Sequence, residues 1–197
     1  MRVVCLDLEG VLVPEIWINV ARTTGVSDLN LTTRDIPDYH ELMKKRLGIL
    51  DRHGITLPDI VDVISAMKPL AGALAFLNTL RERTQVIILS DTFQEFARPL
   101  MRALEWPTLF CNSLMVDEAG RITGYQLRQE NGKREAVRAF SAMNLTVYAA
   151  GDSWNDLTMI QEAHRGAFFQ PPDSITRQHP EIPVCMDYRE LETFLLA

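Results

Sequence analysis

Val3-Val4-Cys5-Leu6-Asp7-Leu8-Glu9-Gly10-Val11 opens with four apolar residues and then sets two acids, one residue apart, before a glycine. Apolar residues in an unbroken run, without alternation, read as a strand covered on both faces, the habit of parallel sheets. Similar runs recur at residues 85–89 and 146–150 and, more weakly, at 108–111 and 166–169. Between them, Leu70, Ala73, Leu74, Leu77 and Leu80 mark one helix, and Val137, Phe140 and Met143 mark another. Strands alternating with helices predict an α/β chain, a parallel sheet with crossover helices. Asp7 then falls at the C-terminal edge of the first strand, where open α/β sheets bind their ligands.

The interval between the first two strands is about 70 residues, against the roughly 30 of a whole strand-helix-strand unit. Within it Ile36, Tyr39, Met43, Leu47 and Leu50 recur at helical spacing, Pro37 suits a helix start, and Gly25 and Gly54 suit helix ends. These features predict a helical subdomain at residues 12–70, hinged near Val13-Pro14 and Lys68-Pro69, with 1–11 and 71–197 forming the α/β core. Residues 115–128, with a turn at Asp117-Glu118-Ala119-Gly120, read as a β-hairpin decorating the sheet. Residues 170–197 read as a proline-containing loop and a closing helix marked by Leu191, Phe194 and Leu195.

With 197 residues, 47% of them hydrophobic and 23% charged, the chain has the balance of a globular domain, and disordered or fibrous classes are excluded. Twenty Lys and Arg against 26 Asp and Glu leave a net charge of -6, which gives no general support to nucleic-acid or anionic-membrane binding. The longest charge-free stretch, residues 139–151, falls short of the roughly 20 residues a bilayer requires. The apolar run after Arg2 is stopped by Asp7 and Glu9, so no signal peptide is expected. Cys5, Cys111 and Cys185, odd in number and set among apolar residues, predict buried free thiols and a cytoplasmic protein.

Four stretches carry chemistry. A carboxylate at Asp7 can attack phosphorus while a second carboxyl at Glu9 delivers and removes the proton on the reacting oxygen; two acids can equally be polar residues closing a strand end. Gly151-Asp152-Ser153-Trp154-Asn155-Asp156 follows another apolar run and brings a second pair of acids to the same sheet edge. Asp152 and Asp156 are also good helix caps, but carboxylates that converge need a cation, and an all-oxygen set suits Mg²⁺. Ser90-Asp91-Thr92 ends the strand at 85–89 and enters a helix, which sets a hydroxyl and backbone N–H groups where an anion binds. Lys133 opens the helix marked by Val137 and can neutralise phosphate, or can be a solvated surface charge.

In this order these four motifs resemble the haloacid dehalogenase superfamily of phosphohydrolases. The resemblance implies a Rossmann-like parallel sheet and makes the insertion at 12–70 the cap that closes over the site. It implies Asp7 as nucleophile, Glu9 as acid and base, and Mg²⁺ held by Asp7, the Glu9 backbone carbonyl and Asp152. Ser90, Lys133 and Asn155 then bind the phosphoryl group, Asp91 lies beside them, and Asp156 orients Lys133 or the metal's surroundings. Within the superfamily the chain is most similar to the phosphoserine phosphatases, on Val13-Pro14-Glu15 and on Lys44-Lys45-Arg46-Leu47-Gly48-Ile49-Leu50. By that resemblance Glu15 takes the substrate's ammonium and Arg46 its carboxylate, which a guanidinium grips bidentately.

Two departures stand out: Glu9 where that family usually has Asp, and Ser90-Asp91-Thr92 where it has Ser-Gly-Gly. Asp-Leu-Glu-Gly and Gly-Asp-Ser-Trp-Asn-Asp are similar to the variant that also transfers the phosphoryl group to homoserine, which implies phosphoserine and homoserine as small-molecule partners and a place in serine and threonine biosynthesis. A homodimer is compatible with this reading. The rivals are a phosphatase for another small phosphate ester, with Glu15 and Arg46 incidental, and a non-catalytic receiver or binding module. The long insertion fits a receiver poorly.

Overall fold

The computed structural model describes residues 1–32, 35–36 and 38–197. Strand β1 (Arg2–Leu6) leads into helices α1 (Ile16–Thr24), α2 (Tyr39–His53) and α3 (Leu57–Ser65), with a 3-10 turn (Ser27–Asn30) between the first two. Helix α4 (Ala73–Arg83), strand β2 (Gln85–Phe93) and helix α5 (Gln94–Ala103) follow, then the hairpin of β3 (Thr108–Val116) and β4 (Ile122–Gln126). Helix α6 (Gly132–Ala142), strand β5 (Thr146–Gly151), helix α7 (Leu157–Glu162), strand β6 (Arg165–Phe169), helix α8 (Asp173–Gln178), strand β7 (Val184–Cys185) and helix α9 (Tyr188–Leu196) complete the chain.

The strands form one sheet in the order β4-β3-β2-β1-β5-β6-β7. Every pairing is parallel except that of β3 with β4. Strand β1 is central: Val3 pairs with Gln85 on one side and Val147 on the other. Alternate residues of β1 serve opposite faces, as the period of two requires. Val4 and Leu6 enter the larger apolar cluster with Phe76 and Leu77 of α4 and Phe96 of α5, while Val3 and Cys5 pack with Ala136 and Val137 of α6.

Helices α1 to α3 rest on α5 and on the hairpin. Val20, Ile49, Ile60 and Ile64 belong to the same apolar cluster as Leu77 and Phe96, so the insertion shares its core with the sheet. Helix α2 is stopped at both ends by local chemistry. Asp38 accepts from the Glu41 N–H at 2.9 Å, and Gly54, at φ +63°, supplies the left-handed residue after the last turn. The hairpin does more than decorate the sheet. At its tip the Gly120 carbonyl accepts from the Leu57 N–H at 2.8 Å, and Tyr125 of β4 meets Tyr39 edge-on and stacks on His40, both from α2.

Several expectations need correction. Ser90-Asp91-Thr92 does not enter a helix, because β2 runs on to Phe93, whose buried ring and register with Asn112 prolong the strand past a break after Leu89. Ile36 precedes α2 and Leu70 precedes α4, Leu70 giving its N–H to the Leu12 carbonyl at 2.9 Å instead. Met143 lies past the end of α6 and is 67% exposed, so it does not mark the buried face of that helix. Cys111 is half-buried, although all three thiols are free. Residues 170–197 hold α8 and the two-residue β7 as well as the closing helix; a strand so short shows no periodicity. Pro37 lies outside the described residues.

Candidate active site

Asp7 leaves β1 with its N–H bonded to the Ala150 carbonyl at 3.0 Å, which carries the sheet pairing one residue beyond the strand. The chain then coils back: the Leu12 and Val13 N–H groups both bond the Leu8 carbonyl, at 2.8 and 3.0 Å. Gly10 makes this possible twice over. Its φ is +75°, and a Cβ there would stand 2.3 Å from the Asp152 carboxyl carbon. The coil turns Glu9 inward, where one carboxylate oxygen accepts from the Ile16 N–H at 2.8 Å at the start of α1. Glu15, half-buried just before that helix, shares a hydrogen bond with the Glu9 carboxyl. Burial first, and Glu15 next, push Glu9 up to about 8, toward its protonated form.

Lys133, in the first turn of α6, is 3% exposed and reaches three carboxylates: Asp156 at 2.7 Å, Asp7 at 2.9 Å and Asp91 at 3.4 Å. Burial works against its ammonium, but Asp156, Asp7 and Asp91 outweigh it and hold the lysine protonated. Asp156 is fully buried. One of its oxygens takes the lysine, and the other accepts from the backbone N–H groups of Asp152 and Ser153 at 3.0 and 3.1 Å. Gly151 leaves room for it, since a Cβ there would meet the Asp156 side chain at 2.2 Å.

Asp7, Asp152 and Asp156 place carboxylate oxygens within 4.8 Å of one another, all buried. One lysine does not balance them. Burial and Asp156 raise Asp7 well above the usual carboxylate range although Lys133 opposes them, so the cluster lacks positive charge. An all-oxygen set in that condition fits a divalent hard cation. Asp156 has both oxygens engaged by Lys133 and backbone N–H groups, while Asp7 and Asp152 line the cavity itself.

Ser90 accepts from the Thr92 N–H at 3.2 Å, and Asn155 donates to the Asp91 carboxylate at 3.0 Å. From α2, Arg46 enters 7% exposed: it donates to the Leu31 carbonyl at 2.7 Å, and its buried Nε has no hydrogen-bond partner among the described residues. Burial lowers its affinity for the proton to about 10, still far above neutrality.

Against known protein families, residues 37–161 match the haloacid dehalogenase-like hydrolases. The chain is 55% identical over 192 residues, 98% of its length and 94% of the relative's, to a Pseudomonas aeruginosa protein named phosphoserine phosphatase ThrH. The chain belongs to the haloacid dehalogenase-like hydrolases. A phosphoserine phosphatase of Pseudomonas syringae pv. tomato is also 55% identical, over 98% of this chain and 81% of its own. Among solved structures, a phospho-aspartyl intermediate analogue of phosphoserine phosphatase superposes with a TM-score of 0.80 at 20% identity, covering 98% of each chain. A substrate-bound phosphoserine phosphatase does so at 0.78 and 19%, covering 98% of this chain and 97% of its own. At such identities these two establish the shared architecture.

Every residue that the sequence singled out meets in this one place. Asp7, Glu9, Glu15, Arg46, Ser90, Asp91, Lys133, Asp152 and Asn155 line a cavity of about 280 Å³, and Asp156 lies directly behind it. The sequence missed Trp17 and Tyr39, which share that lining. Both look like ordinary apolar positions of helices, yet the Tyr39 hydroxyl crosses to the Asp91 carbonyl at 3.0 Å. Nothing in a single sequence marks a contact between residues 52 positions apart. A second cavity of about 720 Å³ adjoins the first and shares Tyr39, Asp91, Lys133 and Asn155 with it.

Proposed function

We propose that this haloacid dehalogenase-like hydrolase is a Mg²⁺-dependent phosphoserine phosphatase that works through a phosphoaspartyl enzyme and also passes the phosphoryl group to homoserine. The observation that carries the substrate is Arg46: a buried guanidinium with an unspent donor, in the same cavity as Asp7, suits the carboxylate of a phosphorylated amino acid. Glu15, on the same cavity wall, suits its ammonium. The names of the two 55% identical relatives point the same way.

Mg²⁺ held by Asp7, Asp152 and the Glu9 backbone carbonyl would screen the phosphate from the attacking carboxylate. An Asp7 oxygen attacks phosphorus, the bond from phosphorus to the serine oxygen breaks, and Glu9 gives that oxygen its proton. In the second half the Glu9 carboxylate takes a proton from water or from the homoserine hydroxyl as its oxygen attacks phosphorus. The bond to Asp7 then breaks, and inorganic phosphate or phosphohomoserine leaves. Ser90, Lys133 and Asn155 hold the phosphoryl oxygens, Asp91 keeps Asn155 and Lys133 in place, and Asp156 fixes the lysine. Helices α1 to α3 act as the cap that excludes water in the first half. Three free thiols suit a cytoplasmic enzyme, and among the described residues no helix is long and apolar enough to cross a membrane.

Phosphoserine, Mg²⁺ and homoserine given together and followed by ³¹P NMR test both halves. The expected result is loss of phosphoserine with growth of inorganic phosphate and a second ester resonance from phosphohomoserine. Inorganic phosphate alone refutes the transfer and leaves the hydrolysis standing. Unchanged phosphoserine beside a consumed aryl phosphate refutes the substrate. Serine and homoserine differ by one methylene, worth about 1–3 kcal/mol in a pocket, so a cavity that grips the amino-acid end accepts both.

A further inference from the structure

We propose that Trp17 is a positioning residue for substrate recognition: its indole face fixes the plane of the Arg46 guanidinium and makes the grip on the substrate's carboxylate depend on how α1 seats against α5. This rests on the reading of Arg46 as the carboxylate's partner. The Arg46 guanidinium carbon lies 4.5 Å from the centre of the Trp17 ring, over its face. The Leu31 carbonyl, at 2.7 Å, fixes one end of the fork, and among the described residues the other terminal nitrogen makes a weak contact to the Met43 sulfur at 3.8 Å. The ring adds a broad contact to these two. A free arginine side chain has several rotatable bonds and would have to be ordered when substrate binds; one stacked on a rigid indole is ordered beforehand.

The platform is itself braced. Trp17 is 7% exposed and meets Phe96 of α5 edge-on, with centroids 5.5 Å apart and planes at 74°. Trp17 comes from the inserted helices and Phe96 from a helix that covers the sheet, so the guanidinium is supported from across the seam between them. A leucine at position 17 would fill most of the same apolar volume and still complete the face of α1. What it would lack is the flat, electron-rich surface that a cation takes.

The test compares phosphoserine with an aryl phosphate that has no carboxylate. In Trp17→Leu, KM for phosphoserine is expected to rise about tenfold with kcat within about twofold, while kcat/KM for the aryl phosphate falls less than about threefold, the size a single cation–π contact supports. Trp17→Phe, which keeps an aromatic face and guards against a folding defect, is expected to show about a threefold rise. In an Arg46→Ala background, Trp17→Leu is expected to add nothing. Equal losses on both substrates, or the same loss with and without Arg46, would reduce Trp17 to core packing and overturn the proposal. If Arg46→Ala alone weakens both substrates alike, the carboxylate reading falls, and the platform with it.

Discussion

Lys133 is the residue on which the site's charge balance turns. Its ammonium stands 2.7 Å from Asp156 and 2.9 Å from Asp7, and all three side chains are buried. Removing one partner of a buried ion pair leaves an uncompensated charge, at about 3–5 kcal/mol. Lys133→Met is therefore expected to lower the unfolding free energy by that amount in urea titrations without added metal; a loss under about 1 kcal/mol would mean that the carboxylates are not held charged by the lysine. Asp7, Glu9, Ser90, Lys133 and Asp152 were legible in the sequence because each stands beside an unbroken apolar run or opens a helix, and in a parallel sheet such positions converge. Trp17, Tyr39 and the coil of backbone around Gly10 were not. Their roles arise from contacts across elements, with Asp152, Asp91 and Arg46, and no local pattern encodes those.

At the scale of the element, the inserted helices show which signals are strong. Gly25 and Gly54 end helices with φ of +73° and +63°, as their sequence positions imply, because few other residues take that backbone conformation without strain. Asp38 was passed over as a cap, although it accepts from the Glu41 N–H and closes the first turn of α2. Since α2 carries Arg46, Asp38→Ala is expected to lower the unfolding free energy by about 1 kcal/mol, read from urea unfolding; an unchanged midpoint would contradict the capping bond. The β3–β4 hairpin was visible from its turn, where Asp117 accepts from the N–H groups of Ala119 and Arg121 at 3.0 and 2.9 Å. Its embrace of the insertion was not visible, because the partners at Leu57, Tyr39 and His40 lie far back in the chain.

Across the whole molecule, a central strand flanked by parallel neighbours collects acids from β1, β2 and β5 at one sheet edge, and an insertion leaning on α5 and β4 covers that edge with Arg46. The alternation of runs and helices foretold the parallel sheet with its helices; it could not foretell that β2 continues to Phe93 or that β7 exists. Such an edge concentrates more negative charge than Lys133 offsets, so chelation with EDTA is expected to abolish phosphoserine turnover and Mg²⁺ to restore it, followed by phosphate release. Full activity in excess chelator would remove the metal from the mechanism. The proposed chemistry turns on a covalent bond from Asp7 to phosphorus, and that bond is directly measurable. With ³²P-labelled phosphoserine, rapidly quenched wild-type protein is expected to carry label and Asp7→Asn none; label retained in Asp7→Asn would contradict the phosphoaspartyl route.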